Sequence, residues 1–352
     1  MKWAITHDFW FDRGGAERVT RVMQQALPSS HHLTVIAGDQ ESLARDGLGK
    51  THILFPRISK RTYRQMSFAY PYAVARHAAI DGNALCSSYA FAHHFRCTGS
   101  KVVYCHSPLR QIWSGLQMYS QHHAFYRGAA AAVGAHLRRL DREVARSADL
   151  YIANSNAVRD RIASFYGLAE VPVVYPPVSN DFAWSGSERT DDFVWAGRIV
   201  EPYKKLGLVL EAFKDLPYRL IVVGDGRDRR RLESTASPNV TFVGKKNAEE
   251  LSTIYSFARA VVFPSEDDFG LIPVEAMRCG APIIAYGGGG ALETVIDQET
   301  GVFFQQQTIE SLRACIGRFM AMSFENEYIV EYSKRFSEAS FVSKMNAVLE
   351  AV

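Results

Sequence analysis

The chain has 352 residues and a formal net charge of +3, with 47% apolar and 22% charged residues. That composition describes a folded chain long enough for two domain-sized cores and excludes a disordered one. No apolar run approaches the ~18 residues of a membrane-spanning helix. The charge is uneven: residues 1–175 carry 21 Lys+Arg against 12 Asp+Glu, and the remainder 19 against 25. Residues 47–140 hold 12 basic residues and one acid, Asp81. Such a surface suits nucleic acid, an anionic membrane or a diphosphate-linked lipid, and it is equally compatible with a solvated face that has no partner.

Taken in order, the N-terminus lacks a signal-peptide apolar segment and reads directly as a strand, Trp3 to Thr6, so a cytoplasmic location is expected. His7 to Val19 forms the loop into the first helix. There Gly14 and Gly15 let backbone approach a phosphate, though a tight turn explains two glycines as well. Leu33 to Ala37 is a second strand. Over residues 52–80, Phe55, Ile58, Tyr63, Met66, Phe68, Tyr70 and Tyr72 interleave with Arg57, Lys60, Arg61 and Arg64. This pattern predicts either a helix at a membrane interface or one packed on its own sheet with solvated cations.

Lys101 to Cys105 is a strand running into His106-Ser107-Pro108-Leu109-Arg110-Gln111-Ile112-Trp113, which puts His106 and Arg110 just beyond a strand end. His93, His94, Cys97 and Cys105 match no standard zinc spacing, and no metal site is expected. A helix is predicted over Ala130–Ala148, a strand and turn over Leu150–Ser155, and a helix capped by Asn154 and Ser155 up to Gly167. Val171 to Tyr175 reads as a further strand, and Pro176-Pro177 stiffens the exit from a first domain of residues 1–177.

The second domain, 178–335, opens with the strand Phe193–Ala196 and a loop carrying Arg198, Lys204 and Lys205, a fork and point charges suited to a diphosphate. Arg219–Val223 leads into the turn Gly224-Asp225-Gly226, and Val240–Gly244 is a short strand followed by Lys245 and Lys246. An apolar run, Ala258 to Phe263, then feeds Pro264-Ser265-Glu266-Asp267-Asp268-Phe269-Gly270-Leu271-Ile272-Pro273-Val274-Glu275. Proline is tolerated in the first turn of a helix, whose N–H groups have no intrahelical partner. A strand-to-helix turn of this kind lies where open α/β sheets bind ligands. Asp267 and Glu275 offer acceptors for hydroxyl groups, so the stretch reads as a site for something polyhydroxylated and anionic. Pro282–Tyr286 feeds Gly287–Gly290, a second glycine-rich entry to a helix. Helices near 308–321 and 338–351 close the chain.

These motifs resemble those of retaining glycosyltransferases of family 4. The acid–seven residues–Glu spacing from Asp267 to Glu275, Gly14-Gly15-Ala16-Glu17-Arg18-Val19, Cys105-His106-Ser107-Pro108, and Gly197-Arg198 with Lys204 all take part, over nearly the whole chain. The resemblance implies a GT-B fold, an α/β architecture of two Rossmann-like doubly wound parallel sheets facing a central cleft, with residues 336–352 crossing back to the first domain. It implies that Arg198 and Lys204, with Lys205 as the alternative register, hold the diphosphate. Glu275 would take the ribose, and Asp267 with the amides of Phe269, Gly270 and Leu271 the sugar. Ile272, Gly224, Gly14 and Gly15 would line the donor site, and His106 would bond a sugar hydroxyl.

The variant around Glu266-Asp267-Asp268-Phe269-Gly270 resembles bacterial mannosyltransferases of polysaccharide assembly. GDP-mannose is therefore the expected donor and a glycan or lipid-diphosphate-linked oligosaccharide the acceptor, with no metal cofactor. Asp267 stands where the family usually has Glu, which keeps a UDP-sugar open. Front-face attack and a covalent intermediate both remain open. Arg57, Lys60, Arg61, Arg64 and Arg110 would form the acceptor or membrane surface, with peripheral contact to the anionic inner membrane. A nucleic-acid-binding Rossmann module without catalysis is the reading from another class. It lacks a binding motif, so no nucleic acid partner is expected. A dehydrogenase lacks its Gly-x-Gly-x-x-Gly.

Overall fold

The computed structural model describes residues 3–11, 14–27, 32–48, 50–63, 69–113 and 124–352. Two compact units are present: Met1–Tyr175 with Phe341–Val352, and Pro176–Ser340. Each holds one six-stranded sheet whose strand pairs are all parallel. In the first the strands are β1 (Trp3–Trp10), β2 (His32–Gly38), β3 (His52–Ile53), β4 (Asn83–Ser88), β5 (Lys101–Cys105) and β6 (Leu150–Ala153). Their order is β3-β2-β1-β4-β5-β6. In the second, β7 (Phe193–Ala196), β8 (Leu220–Val223), β9 (Val240–Gly244), β10 (Ala260–Phe263), β11 (Ile283–Tyr286) and β12 (Gly301–Phe304) run in the order β12-β11-β10-β7-β8-β9. Both are the doubly wound Rossmann arrangement, whose direction reverses beside the first strand of each unit. The crevice at that reversal, outside the carboxyl ends of the strands, is where such sheets bind ligands. In the first unit it lies between β1 and β4, in the second between β7 and β10.

The central strands are buried on both faces, as parallel sheets require. Several predicted elements differ from the observed ones. β1 continues to Trp10 rather than ending at Thr6, because the polar His7 and Asp8 find partners inside the fold. β4, Asn-Ala-Leu-Cys-Ser-Ser, was not anticipated, since it has no β-branched residue to announce a strand. Val171–Tyr175 is not a strand. Only the Val173 bridge to Ala153 forms, with Ala153 N–H donating to the carbonyl of Pro172, a residue that has no N–H for a ladder. The helix expected over 130–148 spans Ala124–Ala145, and the helix Asn326–Ser333 was not foreseen.

The stretch 52–80 is corrected most. After β3 the described residues form turns up to Tyr63, and the described residues of the stretch hold one α-helix, Tyr70–Arg76. Phe55, Ile58 and Tyr63 pack on a core cluster with Phe9, Tyr70 and Phe91, so these aromatics face inward and no interfacial helix runs through them. Arg57, Lys60 and Arg61 are exposed; Arg64, Met66 and Phe68 lie outside the described residues. No helix among the described residues is long and apolar enough to cross a membrane.

The second unit runs to Ser340 rather than to 335. Phe336 is buried against Phe269, and its carbonyl accepts from the Val178 N–H, which ties residues on both sides of 335 to the second sheet. Beyond Ser340 the last helix, Glu338–Leu349, belongs to the first unit. There Phe341 and Met345 join a core with Trp3, Ile5 and Tyr104.

Candidate functional site

In the second unit the chain leaves β10 through Pro264 and Ser265 and reaches Asp267, which is half-buried. Gly270, at φ 81°, is the residue before the helix Leu271–Arg278. A Cβ there would lie 3.0 Å from the Phe263 ring, and the left-handed backbone favours glycine in any case. Pro273 stands third in this helix, within the turn whose N–H groups lack intrahelical acceptors. Glu275 sits one turn on, with only 6% of its surface exposed.

The glycine-rich segment after β11 has a different reason from the one its sequence suggested. A Cβ on Gly289 would lie 2.4 Å from the Asp267 carbonyl oxygen, and one on Gly290 2.2 Å from that of Phe269. The Gly290 N–H donates to the Asp267 carbonyl at 2.9 Å. These glycines let one loop lie against the backbone that carries Asp267. The helix they lead into, Ala291–Thr294, is a single turn.

Across the reversal, β7 delivers Arg198 and Lys204. Gly197 and Gly224 press together so closely that a Cβ on Gly224 would stand 1.8 Å from the Gly197 carbonyl oxygen. The Ile199 N–H donates to Asp225, and the Glu201 N–H to the Asp228 carboxylate, which fixes the loop. Arg198 is exposed. Lys204 Nζ lies 2.5 Å from Asp267 Oδ2, so the structure brings together the cation and the acid that the sequence picked out separately. The pair is about a quarter exposed, at 23% and 28%, and in such a setting an ion pair stabilises by ~1 kcal/mol or less. Its two charges are therefore available to a competing ligand. Lys205 takes a different part: at φ 52° it is the residue before the helix Leu206–Phe213. Lys246 pairs with Glu250 at 2.9 Å.

In the first unit, Gly14 precedes the helix Gly15–Met23, but the Glu17 carboxylate fills its flank, where a Cβ would meet Oε2 at 2.5 Å. His106, buried at the end of β5, has Nε2 2.8 Å from Ser87 Oγ. Burial, reinforced by nearby His7, pushes its pKa down to about 3, so the ring is neutral near pH 7. Asn154, expected as a cap, instead donates its side-chain N–H to the His106 carbonyl; Ser155 alone caps the helix Asn156–Tyr166. Ser87 Oγ also lies 2.6 Å from Thr20 Oγ1, and Thr20 donates its hydroxyl to the Ala16 carbonyl at 2.9 Å. His7 Nδ1 lies 3.1 Å from Ser87 Oγ and 2.9 Å from Thr20 Oγ1, so a Ser87 proton turned to Thr20 or to His7 leaves Ser87 Oγ as acceptor for His106 Nε2–H. In that arrangement His106 Nδ1 is left as an acceptor. Arg110 is exposed at the start of the short helix Arg110–Trp113.

Sequence reasoning missed Ser87, Thr20 and Asp8. The Asp8 carboxylate is fully buried and accepts from the backbone N–H groups of Tyr89, Ala90, Phe91 and Ala92 at 2.5–2.8 Å. The available signal was spacing: a parallel strand was due between β2 and β5, and Ser87-Ser88 would have ended it.

Two six-stranded parallel sheets of Rossmann order, each with its loops at the strand reversal, define the GT-B class of fold. Solved structures agree. Anabaena Alr3699/HepE in complex with UDP superposes with a TM-score of 0.72 over 100% of both chains at 18% identity. The lipopolysaccharide outer core galactosyltransferase WaaB, apo form, does so with 0.69 over 100% of both chains at 16% identity. Residues 13–182 match the family described as Glycosyltransferase Family 4, and residues 180–339 that described as Glycosyl transferases group 1. The chain thus carries the paired domains of a family 4-type glycosyltransferase. Among curated proteins it is similar to D-inositol 3-phosphate glycosyltransferases. The one from Mycobacteroides abscessus is 29% identical over 227 residues, 57% of this chain and 51% of that protein. The one from Mycobacterium bovis is 33% identical over 186 residues, 46% and 38%. The chain spans about half or less of the length of these relatives.

Proposed function

We propose that the chain is a retaining glycosyltransferase that moves a hexose from a nucleoside diphosphate sugar onto a glycan or a lipid-diphosphate-linked oligosaccharide in polysaccharide assembly. The observation that carries this reading is the Lys204–Asp267 pair at the strand reversal of the second unit, with Arg198 on the same loop as Lys204 and Glu275 on the helix after Asp267. A diphosphate supplies the negative charge that would draw Lys204 away from Asp267 and engage Arg198, both cations then stabilising the departing nucleotide as its charge develops. Asp267, once released, accepts hydrogen bonds from the sugar, and the amides at the start of the Leu271–Arg278 helix add donors. Glu275 accepts from the ribose hydroxyls. The family resemblance gives neutral His106 a sugar hydroxyl as its ligand.

GDP-mannose is the donor proposed, on the resemblance of the 266–275 stretch to mannosyltransferases. A UDP-sugar is the second reading, favoured by Asp267 in place of Glu and by the UDP bound in the Alr3699/HepE structure. No metal ion enters the transfer step in this proposal, so added Mg2+ or Mn2+ should leave the rate unchanged. The exposed Arg57, Lys60, Arg61 and Arg110 suit an anionic acceptor at the cytoplasmic face of a membrane.

The test is thermal stability with GDP, UDP and ADP at matched concentration, followed by transfer assays with the matching nucleotide sugars. A ligand at ~100 times its Kd adds ~2.7 kcal/mol. A rise with GDP alone supports the mannosyltransferase reading, and a rise with UDP alone moves the donor to a UDP-sugar. If none of the three raises the melting temperature, the transferase proposal fails.

A further inference from the structure

His93 and His94 lie in a 3₁₀ turn, Ala92–His94, just beyond β4, and Asp141 lies on the helix Ala124–Ala145. All three are buried in the first unit, and one ligand atom from each falls within 4.8 Å of the others. Asp141 Oδ1 is 3.0 Å from His93 Nε2 and 3.5 Å from His94 Nε2. Donor atoms around a tetrahedral zinc ion with bonds of ~2.0–2.1 Å are about 3.3 Å apart, so these spacings bracket the required edge. The outer partners are also those of a metal site. Ser88 Oγ meets His93 Nδ1 at 3.0 Å, which leaves Nε2 facing Asp141, and Trp113 Nε1–H donates to the other carboxylate oxygen at 2.7 Å.

The decisive observation is His94. It is 3% exposed; among the described residues its Nδ1 meets no hydrogen-bond partner and its Nε2 approaches only Asp141, at a long 3.5 Å, although a poorly satisfied buried imidazole is costly. The buried ammonium of Lys101 is occupied by Ser147 Oγ at 2.9 Å and by the His93 carbonyl. We propose that His93, His94 and Asp141 bind a divalent transition-metal ion, with zinc the best fit to two imidazoles and a carboxylate, which pins the 3₁₀ turn to the helix. Spacing along the chain hid the site, because the third ligand stands 48 residues after His93. Cys97 and Cys105, the partners that spacing alone would try, are not in the cluster. The inference is independent of the transferase reading.

The experiment uses the full chain without a histidine tag, grown with added zinc and purified without chelator. Elemental analysis should find one zinc per chain. EDTA should lower the first melting transition by about 5 °C, Zn2+ should restore it, and Co2+ should give the visible absorption of a tetrahedral site. The variant His94→Leu should lose the metal and the EDTA response; circular dichroism checks that it folds. If it does not fold, the cobalt spectrum and EDTA response of the wild type decide alone. The proposal is overturned if the wild type binds no zinc and ignores EDTA, or if folded His94→Leu keeps as much metal as wild type. A metal-free site makes the opposite forecast for this variant, since replacing an unsatisfied imidazole with leucine should leave stability unchanged or raise it.

Discussion

The two units share one strand order but treat polar groups at the strand reversal in opposite ways. The first buries them and satisfies most of them internally: Asp8 by four amides, His106 by Ser87, Ser87 by Thr20. The second leaves Arg198, Lys204 and Asp267 at least partly exposed, with Lys204 and Asp267 paired, among the described residues, to each other. Buried networks of this kind are rigid and costly to disturb, whereas a half-exposed pair can exchange partners. The first unit is therefore built to hold a shape, and the second to trade its charges to a ligand.

The sharpest way to break that contrast is Asp8→Ala. It leaves four N–H groups without an acceptor, three of them buried, and each such loss costs ~1–3 kcal/mol, so the first unit should lose about 4 kcal/mol or more. Urea unfolding followed by hydrogen exchange of β1 and β4 amides would show it. A loss below ~1 kcal/mol would mean that water replaces the carboxylate and that the unit is not preorganised as described.

In the second unit the corresponding weakness is steric. Gly290→Ala forces a Cβ into the space of the Phe269 backbone and should cost ~3 kcal/mol, lowering the second unit's transition alone. Gly317 is the control. It is exposed within the helix Ile309–Met320, and a Cβ there meets nothing within 4 Å. Gly317→Ala should stabilise by roughly 0.5–1 kcal/mol.

Lys204→Ala separates function from stability. On the proposed reaction kcat/KM should fall about 30-fold, ~2 kcal/mol, while the folding free energy changes by less than ~1 kcal/mol because the pair is partly exposed. If kcat/KM stays within about threefold of wild type, Lys204 does not hold the diphosphate, and Arg198→Ala then tests the remaining cation.

Acid should act on the first unit through His106. Its folded pKa of about 3 lies below the ordinary value of 6.5, so the unfolded state takes up a proton that the native state refuses. Stability is full above pH 6.5, falls as pH drops toward 3, and has lost ~2 kcal/mol from this group by pH 5. Replacing His106 with Gln should flatten that part of the profile; an unchanged slope would show that the ring is not held neutral.

Much of the second unit was readable because its motifs sit on strands with strong β-branched or aromatic runs, such as Ala260–Phe263, followed by punctuating glycine and proline. Even there the roles shifted: Gly289 and Gly290 reveal their purpose only when the Asp267 loop is seen against them. The pairing of Lys204 with Asp267 joins residues far apart in sequence, and only the sheet order brings them together. The first unit was harder because its polar residues are internal. Nothing in Asn-Ala-Leu-Cys-Ser-Ser advertises a central strand, and nothing in His7-Asp8 says that a strand continues through them. Their burial depends on partners supplied from β4 and from the Gly15–Met23 helix, which no local pattern encodes. The aromatic and basic stretch near 55–63 misled for the converse reason: periodicity shows that rings share a segment, but not that a core stands ready to receive them.

The smallest effect expected on activity is also the most specific. Ser87→Ala removes the acceptor of His106 Nε2–H while leaving the ring buried. Without it the imidazole is free to move its proton to Nδ1, the nitrogen left as an acceptor in the wild type. A neutral hydrogen bond of this kind is worth ~1 kcal/mol, so kcat should fall about fivefold with KM for the nucleotide sugar unchanged. A purely structural role for Ser87 would lower stability but leave the ring's proton where it is. Ring-nitrogen chemical shifts distinguish the two: the wild type should show a single neutral Nε2–H form and Ser87→Ala a mixture. A wild-type ring protonated at Nδ1 would invert the assignment: Ser87 would then donate to His106 and accept from Thr20.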